Sequence, residues 1–232
     1  SVIMPMYNSQ DIKQNILEAI NKLEKVNPNY EIILVDDGST TSCLEEAKRI
    51  RNKRLKVIGY NKNQGKGNAI KYGFTFISGK YVAFVDTGRD IEPIQLKSFL
   101  DIMNKEKADI VIGSKKHPQS EVHYPLARRF MSGVYQVLNK LLFNLNVKDT
   151  QVGIKLFKRQ ILSKVMPKIA IKRFAFDLEL LVIASKMGAK IVEAPVTIRY
   201  KFGSTVNLKA VFWILWDTAA IFYRLRILRY YD

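Results

Sequence analysis

Three short clusters hold the residue types that could do chemistry. Asp36-Asp37-Gly38-Ser39 and Asp86-Thr87-Gly88-Arg89-Asp90 each follow an apolar run, and Asn63-Gln64-Gly65-Lys66-Gly67-Asn68-Ala69 lies between them. Carboxylates at the end of a strand suit two tasks. They can accept hydrogen bonds from a base or ribose, or hold a hard divalent cation that offsets diphosphate charge as a leaving group departs. Asp, Gly and Ser also suit an ordinary turn with a helix N-cap, but only one of two adjacent carboxylates can cap. The Gly-Lys-Gly cluster is not a Walker loop: Gly59 precedes Gly65-Lys66 by one residue too many, and Gly67 stands where a hydroxyl should be. It can still bring Lys66 and backbone N–H groups to an anion at the N-terminus of the next helix. No Gly-x-Gly-x-x-Gly follows the first strand, so a dinucleotide-dependent oxidoreductase loses its main support.

The elements that would position these clusters alternate in type. Strands are predicted at 1–4, 31–35, 55–60, 81–85 and 109–112, and helices at 11–23, 43–51, 67–76 and 93–104. The strands are continuously apolar rather than alternating, as when helices cover both faces of a parallel sheet. The fold class is therefore α/β, a mostly parallel sheet flanked by helices. In such sheets ligands bind beyond the carboxyl ends of the strands, where both acidic clusters fall. From Leu126 the pattern changes. A long helix is predicted over 126–145 with Phe130, Val134, Leu138, Leu141 and Leu145 facing the core. A strand at 153–157, a helix at 177–187 and a strand at 190–196 follow. The tail from Asn207 is apolar and aromatic and ends in Arg224, Arg226 and Arg229.

Bulk properties narrow the partners. The 232 residues are 47% hydrophobic, enough for one sizeable core, and 38 Lys and Arg against 21 Asp and Glu leave a net charge of +17. That surplus predicts an anionic partner: nucleic acid, a lipid headgroup surface or a phosphorylated substrate. No nucleic-acid motif is present. Cys43 is the only cysteine, which excludes an internal disulfide and fits a reducing cytoplasmic compartment. His117 and His123 read as solvated loop residues. No signal peptide is visible, and the apolar run at 210–223 is interrupted by Asp217, so the chain is expected to lie on a membrane rather than span it.

The motifs together resemble a family. Pro5-x-Tyr7-Asn8, Val35-Asp36-Asp37-Gly38-Ser39, Asn63-x-Gly65-Lys66-Gly67-x-Ala69 and the Asp86 strand end are similar to family 2 inverting glycosyltransferases of the GT-A (Rossmann-like) fold. Gly113-Ser114-Lys115, Arg128-x-x-x-Ser132, Asp149-Thr150-Gln151-x-Gly153-x-Lys155-Leu156-Phe157 and Phe174-Ala175-Phe176-Asp177-x-Glu179-Leu180-Leu181, with Gly203-Ser204 beyond, resemble the dolichyl-phosphate sugar synthases. The glucosyltransferase branch is the nearer and the mannosyltransferase branch the second. The resemblance implies that Pro5, Tyr7 and Asp37 hold the nucleoside with Asn8 and Asp36 beside them. It also implies that Asp86 and Asp90 serve a Mg²⁺ or Mn²⁺ ion and the diphosphate. Lys115, Arg128 and Ser132 would bind the acceptor phosphate, with Asp149 and Gln151 near the transferred sugar.

Two departures stand out: Ser9 where the family usually has Glu, and Gly88 where it keeps the second acid of Asp-x-Asp. The expected activity is hexose transfer from a nucleotide sugar (UDP-glucose, then GDP-mannose) to a polyprenyl monophosphate. The alternative is a non-catalytic nucleotide-sugar binding module, motivated by Gly88. The expected organisation is a catalytic domain over 1–205 and an amphipathic interfacial or packing helix over 206–232. The expected location is peripheral, on the cytoplasmic face of a membrane, and oligomers are compatible with it. Arg128 and Ser132, four apart, share one helical face, whereas Asp177 and Glu179, two apart, do not. One of the latter pair faces the site and the other is structural.

Overall fold

The structure, a computed structural model, describes residues 1–122, 126–173, 175–199 and 208–231, with the backbone alone at 126–131 and 208–210. Its strands are β1 (Val2–Met6), β2 (Ile32–Asp37), β3 (Leu55–Tyr60), β4 (Tyr81–Val85), β5 (Ile110–Ser114), β6 (Glu121–Val122), β7 (Ile154–Lys158), β8 (Ile191–Pro195) and β9 (Thr197–Ile198). Its helices are α1 (Ile12–Val26), α2 (Cys43–Lys48), α3 (Lys66–Phe74), α4 (Leu96–Lys105), α5 (Leu126–Phe143), α6 (Arg159–Val165), α7 (Phe176–Lys186) and α8 (Leu208–Arg226).

Seven strands form one sheet in the order β3-β2-β1-β4-β7-β5-β8, and β6 pairs with β9 in a small second sheet. Both faces of the large sheet are covered, which is why β2 is buried at every position. Val2, Met4, Ile32 and Leu34 pack with α1, α2 and α4 on one side. Ile3, Ile33 and Val35 pack with α3, α6 and α7 on the other. The helix α7 is the most enclosed, with all nine residues from Phe176 to Ala184 buried.

All pairings are parallel except those of β7, which runs antiparallel between β4 and β5. The sequence predicts this strand but not its direction. The reversal matters for function. Parallel strands bring their C-terminal residues to the upper edge of the sheet, and β7 brings its N-terminal residues to the same edge. The Val85↔Ile154 register and the Asp86 N–H to Gly153 carbonyl bond (3.1 Å) set Gln151–Gly153 beside the end of β4.

The long helix α5 corrects one expectation. Val134 and Leu141, predicted to face the core, are 56% and 78% exposed, as is Val137 at 61%. The helix instead turns Tyr135 and Phe143 toward α8, through Tyr135 to Thr218 (3.0 Å) and Phe143 against Phe222. An apolar stripe at helical spacing shows that a face avoids water, not what covers it. No helix among the described residues is long and apolar enough to cross a membrane.

The helix α3 sits tightly against the start of α7. A β-carbon on Gly67 would come 2.7 Å from the Phe176 ring. Gly67→Ala should therefore cost about 1–3 kcal/mol through overpacking, read as a lowered urea midpoint. A midpoint unchanged from wild type would show that Phe176 gives way freely.

Candidate active site

A cleft of about 710 Å³ opens at the carboxyl edge of β1, β2 and β4. Its wall begins with Asp37, which is 4% exposed. One Asp37 oxygen accepts from the Tyr60 hydroxyl (2.7 Å) and the Gln64 N–H (2.8 Å), and the other from the Gly65 N–H (2.9 Å) and the Asn63 amide (3.0 Å). The Asp37 carboxylate thus fastens the Asn63–Gly65 turn onto β2. Burial, and then the Asp37 carboxylate beside it, holds the Tyr60 hydroxyl well above its usual pKa. Asp36 accepts from the Ser39 N–H and hydroxyl. The Asn8 N–H donates to the Ser39 hydroxyl oxygen (2.9 Å), and the Asn8 side-chain oxygen accepts the Thr40 N–H (2.8 Å). Pro5 and Tyr7 border the cleft, Tyr7 half-exposed. Of the sequence-predicted donor group, Pro5, Tyr7, Asp37 and Lys66 line the cleft, and Asp36 and Asn8 tie together the loops behind it.

The Gly65-Lys66-Gly67 turn owes its glycines to packing. Gly65 has φ +99°, and a β-carbon there would meet the Lys172 carbonyl at 2.6 Å and Arg173 Cγ at 2.8 Å. The Gly65 and Asn68 N–H groups, which an anion could have used, are taken by Asp37 and the Lys172 carbonyl. What the turn offers the cleft is Lys66.

Lys66 Nζ lies 2.6 Å from Asp86 Oδ1. Burial alone would depress its pKa, but Asp86 and then Asp177 outweigh it, so the ammonium is held above its ordinary value. Asp177 lines the same cleft and pairs with Lys155 at 2.9 Å, with both side chains almost wholly buried. Burial pulls the Lys155 pKa down against the opposing pull of Asp177. The sequence leaves open which of Asp177 and Glu179 faces the site, and the structure answers. Glu179 is fully buried away from the cleft, accepting the Ala170 and Ile171 N–H groups (3.0 and 2.7 Å), the Tyr231 hydroxyl and Arg224 Nη1 (3.4 Å).

The residues expected to meet the acceptor come from the end of β5 and the approach to β7. Lys115 Nζ pairs with Asp149 Oδ2 at 2.9 Å, and Asp149 also accepts the Lys115 and Gln151 N–H groups. Gln151 borders both the main cleft and a smaller cavity of about 160 Å³, which Asp86, Gly88, Asp90 and Lys115 also line. Its Nε2 is buried with no hydrogen-bond partner, a donor still unused. Ser132 receives a 3.4 Å bond from Gln136 and borders neither cavity. Arg128 belongs to α5, but its side chain lies outside the described residues, as do His123, Phe174, Gly203 and Ser204.

Sequence reading missed two cations, Arg173 on the cleft and Lys155 beneath it. Lys155 left a trace: it is the one charge within Ile154–Phe157. The expected cation ligands are Asp86 and Asp90. Asp86 is already met by an ammonium, the neighbouring position is Gly88, and no group of three or more His, Cys, Asp or Glu residues is poised for a metal among the described residues. These residues thus fit a Mg²⁺ or Mn²⁺ ion poorly, with one carboxylate fewer than an Asp-x-Asp pair would offer and an ammonium already on Asp86.

Residues 1–166 match the family described as Glycosyl transferase family 2. The dolichyl-phosphate beta-glucosyltransferase of Saccharomyces cerevisiae is 29% identical over 90% of this chain and 69% of its own length. That of Dictyostelium discoideum is 32% identical over 84% and 65%. The chain thus spans about two thirds of the length of these relatives. Among solved structures, glucosyl-3-phosphoglycerate synthase from Mycobacterium tuberculosis, crystallised with Mn²⁺, UDP-glucose and phosphoglyceric acid, superposes with a TM-score of 0.71 at 16% identity, over 96% of this chain and 77% of the other. That likeness is one of fold.

Asp177→Ala would leave Lys155 buried without its counter-ion. It should cost about 3–5 kcal/mol of stability, measured by urea unfolding. A loss of less than about 1 kcal/mol would show that Lys155 escapes to water or is neutral without it.

Proposed function

The chain belongs to glycosyl transferase family 2, and on that premise we propose that it transfers glucose from a nucleotide diphosphate sugar to a dolichyl or other polyprenyl monophosphate. UDP-glucose is the favoured donor and GDP-mannose the second. The names of the relatives supply the sugar and the acceptor. One observation within the cleft supports the acceptor class. Its three carboxylates are all engaged, Asp37 by the Tyr60 hydroxyl and the turn amides, Asp86 by Lys66 and Asp177 by Lys155. Each has at least one oxygen already held by a donor, so none is offered whole to the proton of a sugar hydroxyl.

A phosphate monoester needs no such base. Its second pKa is near 6, so at neutral pH its oxygen is already an anionic nucleophile. That oxygen would attack the anomeric carbon in line with the departing diphosphate, inverting the centre. The work of the protein is then alignment and charge stabilisation. In this reading Pro5, Tyr7 and the turn fastened by Asp37 seat the nucleoside. Gln151 offers its unused N–H to the sugar or diphosphate, and Lys115, positioned by Asp149, with Arg128 and Ser132 receives the acceptor phosphate.

The lipid acceptor gives α5 and α8 their role. Of the fourteen large apolar residues exposed among the described residues, eleven lie on α5, α8 and the tail behind them, including Leu141, Phe212, Trp216 and Tyr223. Aromatic rings with Arg224, Arg226 and Arg229 nearby suit the boundary of an anionic lipid surface. Residues 206–232 thus act as the interfacial extension of a catalytic body over 1–205, on the cytoplasmic face where nucleotide sugars are supplied.

Purified protein offered UDP-glucose or GDP-mannose with a short polyprenyl phosphate, with and without Mg²⁺ or Mn²⁺, should turn over fastest with UDP-glucose. Nucleotide binding without turnover of either donor would leave the binding-module reading instead. Arg128→Ala should raise the acceptor KM by about tenfold or more with the donor KM little changed, and equal effects on both would remove its assigned role. Trp216→Glu should weaken sedimentation with anionic vesicles while transfer to a water-soluble prenyl phosphate persists. Unchanged vesicle binding would take α8 off the membrane.

A further inference from the structure

Two independent observations meet at the end of β4. Gly88 stands in open space: a β-carbon built there meets nothing within 4 Å, and its backbone is outside the left-handed region. The fold has room for a second acid at this point, and the chain supplies none. From across the cleft, in the first turn of α3, Lys66 places its ammonium 2.6 Å from Asp86. Asp86 is in turn fixed by Gly153, where any β-carbon would fall 2.1 Å from its carboxylate oxygen. Arg173 packs against Gly65 and lines the same cleft. The carboxylate that a metal ion would need is thus already paired with a positive charge carried by the chain, beside a second one.

We propose that Lys66 is the resident cation of the diphosphate subsite, with Asp86 positioning it and Arg173 assisting, so that this chain neutralises the leaving diphosphate without depending on a divalent metal ion. The inference rests on the reading that the cleft takes a nucleoside diphosphate. Chemically, the negative charge that builds on the β-phosphate as the sugar departs is met by an ammonium already in place and aimed by Asp86. A preplaced charge of this kind costs no reorganisation as the bond breaks. Lys66 stays paired with Asp86 and turns its remaining N–H donors to the diphosphate, and no proton changes hands. An oxygen-ligated divalent ion in the same place would have to displace Lys66 from Asp86 and accept one protein carboxylate fewer.

The test is UDP binding to the whole chain by calorimetry, in EDTA and then in Mn²⁺, with Mn²⁺ uptake followed separately by electron paramagnetic resonance. The wild-type affinity for UDP in EDTA should lie within about threefold of that in Mn²⁺. Lys66→Gln should lose about tenfold to a hundredfold in EDTA, and Lys66→Arg, which keeps the charge, should retain most of the affinity and control for folding. Gly88→Asp, for which the space exists, should bind Mn²⁺ and make UDP affinity depend on it by about tenfold. Wild-type UDP binding that appears only with Mn²⁺ would overturn the inference and leave the nucleotide-sugar reading standing. So would an unchanged EDTA affinity in Lys66→Gln, or a Gly88→Asp protein that takes up no Mn²⁺. Absence of UDP binding under both conditions would bring down the nucleotide reading itself, and this inference with it.

Discussion

Most of the site depends on an alternation of charge at one edge of the sheet: Asp86 and Lys66, then Asp177 and Lys155. Lys66 feels both carboxylates, and the fully enclosed Lys155 keeps its charge against Asp177 and the Val152 carbonyl. The four residues come from the end of β4, the first turn of α3, the first turn of α7 and the middle of β7. Their attraction fixes how these elements meet. Gly153 follows from it, since a side chain there would push the Asp86 carboxylate aside, while Gly65 and Gly67 let α3 close on Arg173 and on Phe176 at the start of α7.

Above this layer the cleft is lined by groups of two kinds. Asp37, Asp86 and Asp177 are held in place by partners, and Tyr7, Gln151 and Arg173 face the opening with something still to offer. That division separates scaffold from contact more sharply than residue type does. A buried carboxylate with its oxygens occupied is part of the wall, whatever motif it belongs to. The reversed strand β7 adds to both kinds at once, since Lys155 supports the floor while Gln151 reaches the opening from the same short segment.

The order of strands and helices was legible because each parallel strand is apolar throughout and each helix repeats at its own period. The direction of β7 was not, since a buried run of residues reads the same both ways. The exposure of Val134 and Leu141 was not legible either, because periodicity marks an apolar face without naming its cover. The two-residue spacing of Asp177 and Glu179 told that they diverge, and only burial told which one turns to the cleft. Arg173 escaped because a lone basic residue in a strongly basic chain carries no signal of its own, and Lys155, a charge inside an apolar strand, did not reveal which carboxylate it meets. Gly88 was visible from the start, but its meaning depended on Lys66 reaching Asp86 from a different element.

Glu179 has one further consequence. Its fully buried carboxylate joins the Ala170–Ile171 backbone, and through that loop the Arg173 side of the cleft, to Arg224 and Tyr231 at the far end of the chain. A chain that stopped short of α8 would strand that charge in the interior with two of its partners gone. The last turn of α8 and the loop beneath the cleft therefore belong to one cooperative unit of unfolding. The C-terminal segment is thus tied into the body of the protein through one interior carboxylate, and not only through the apolar face of α8.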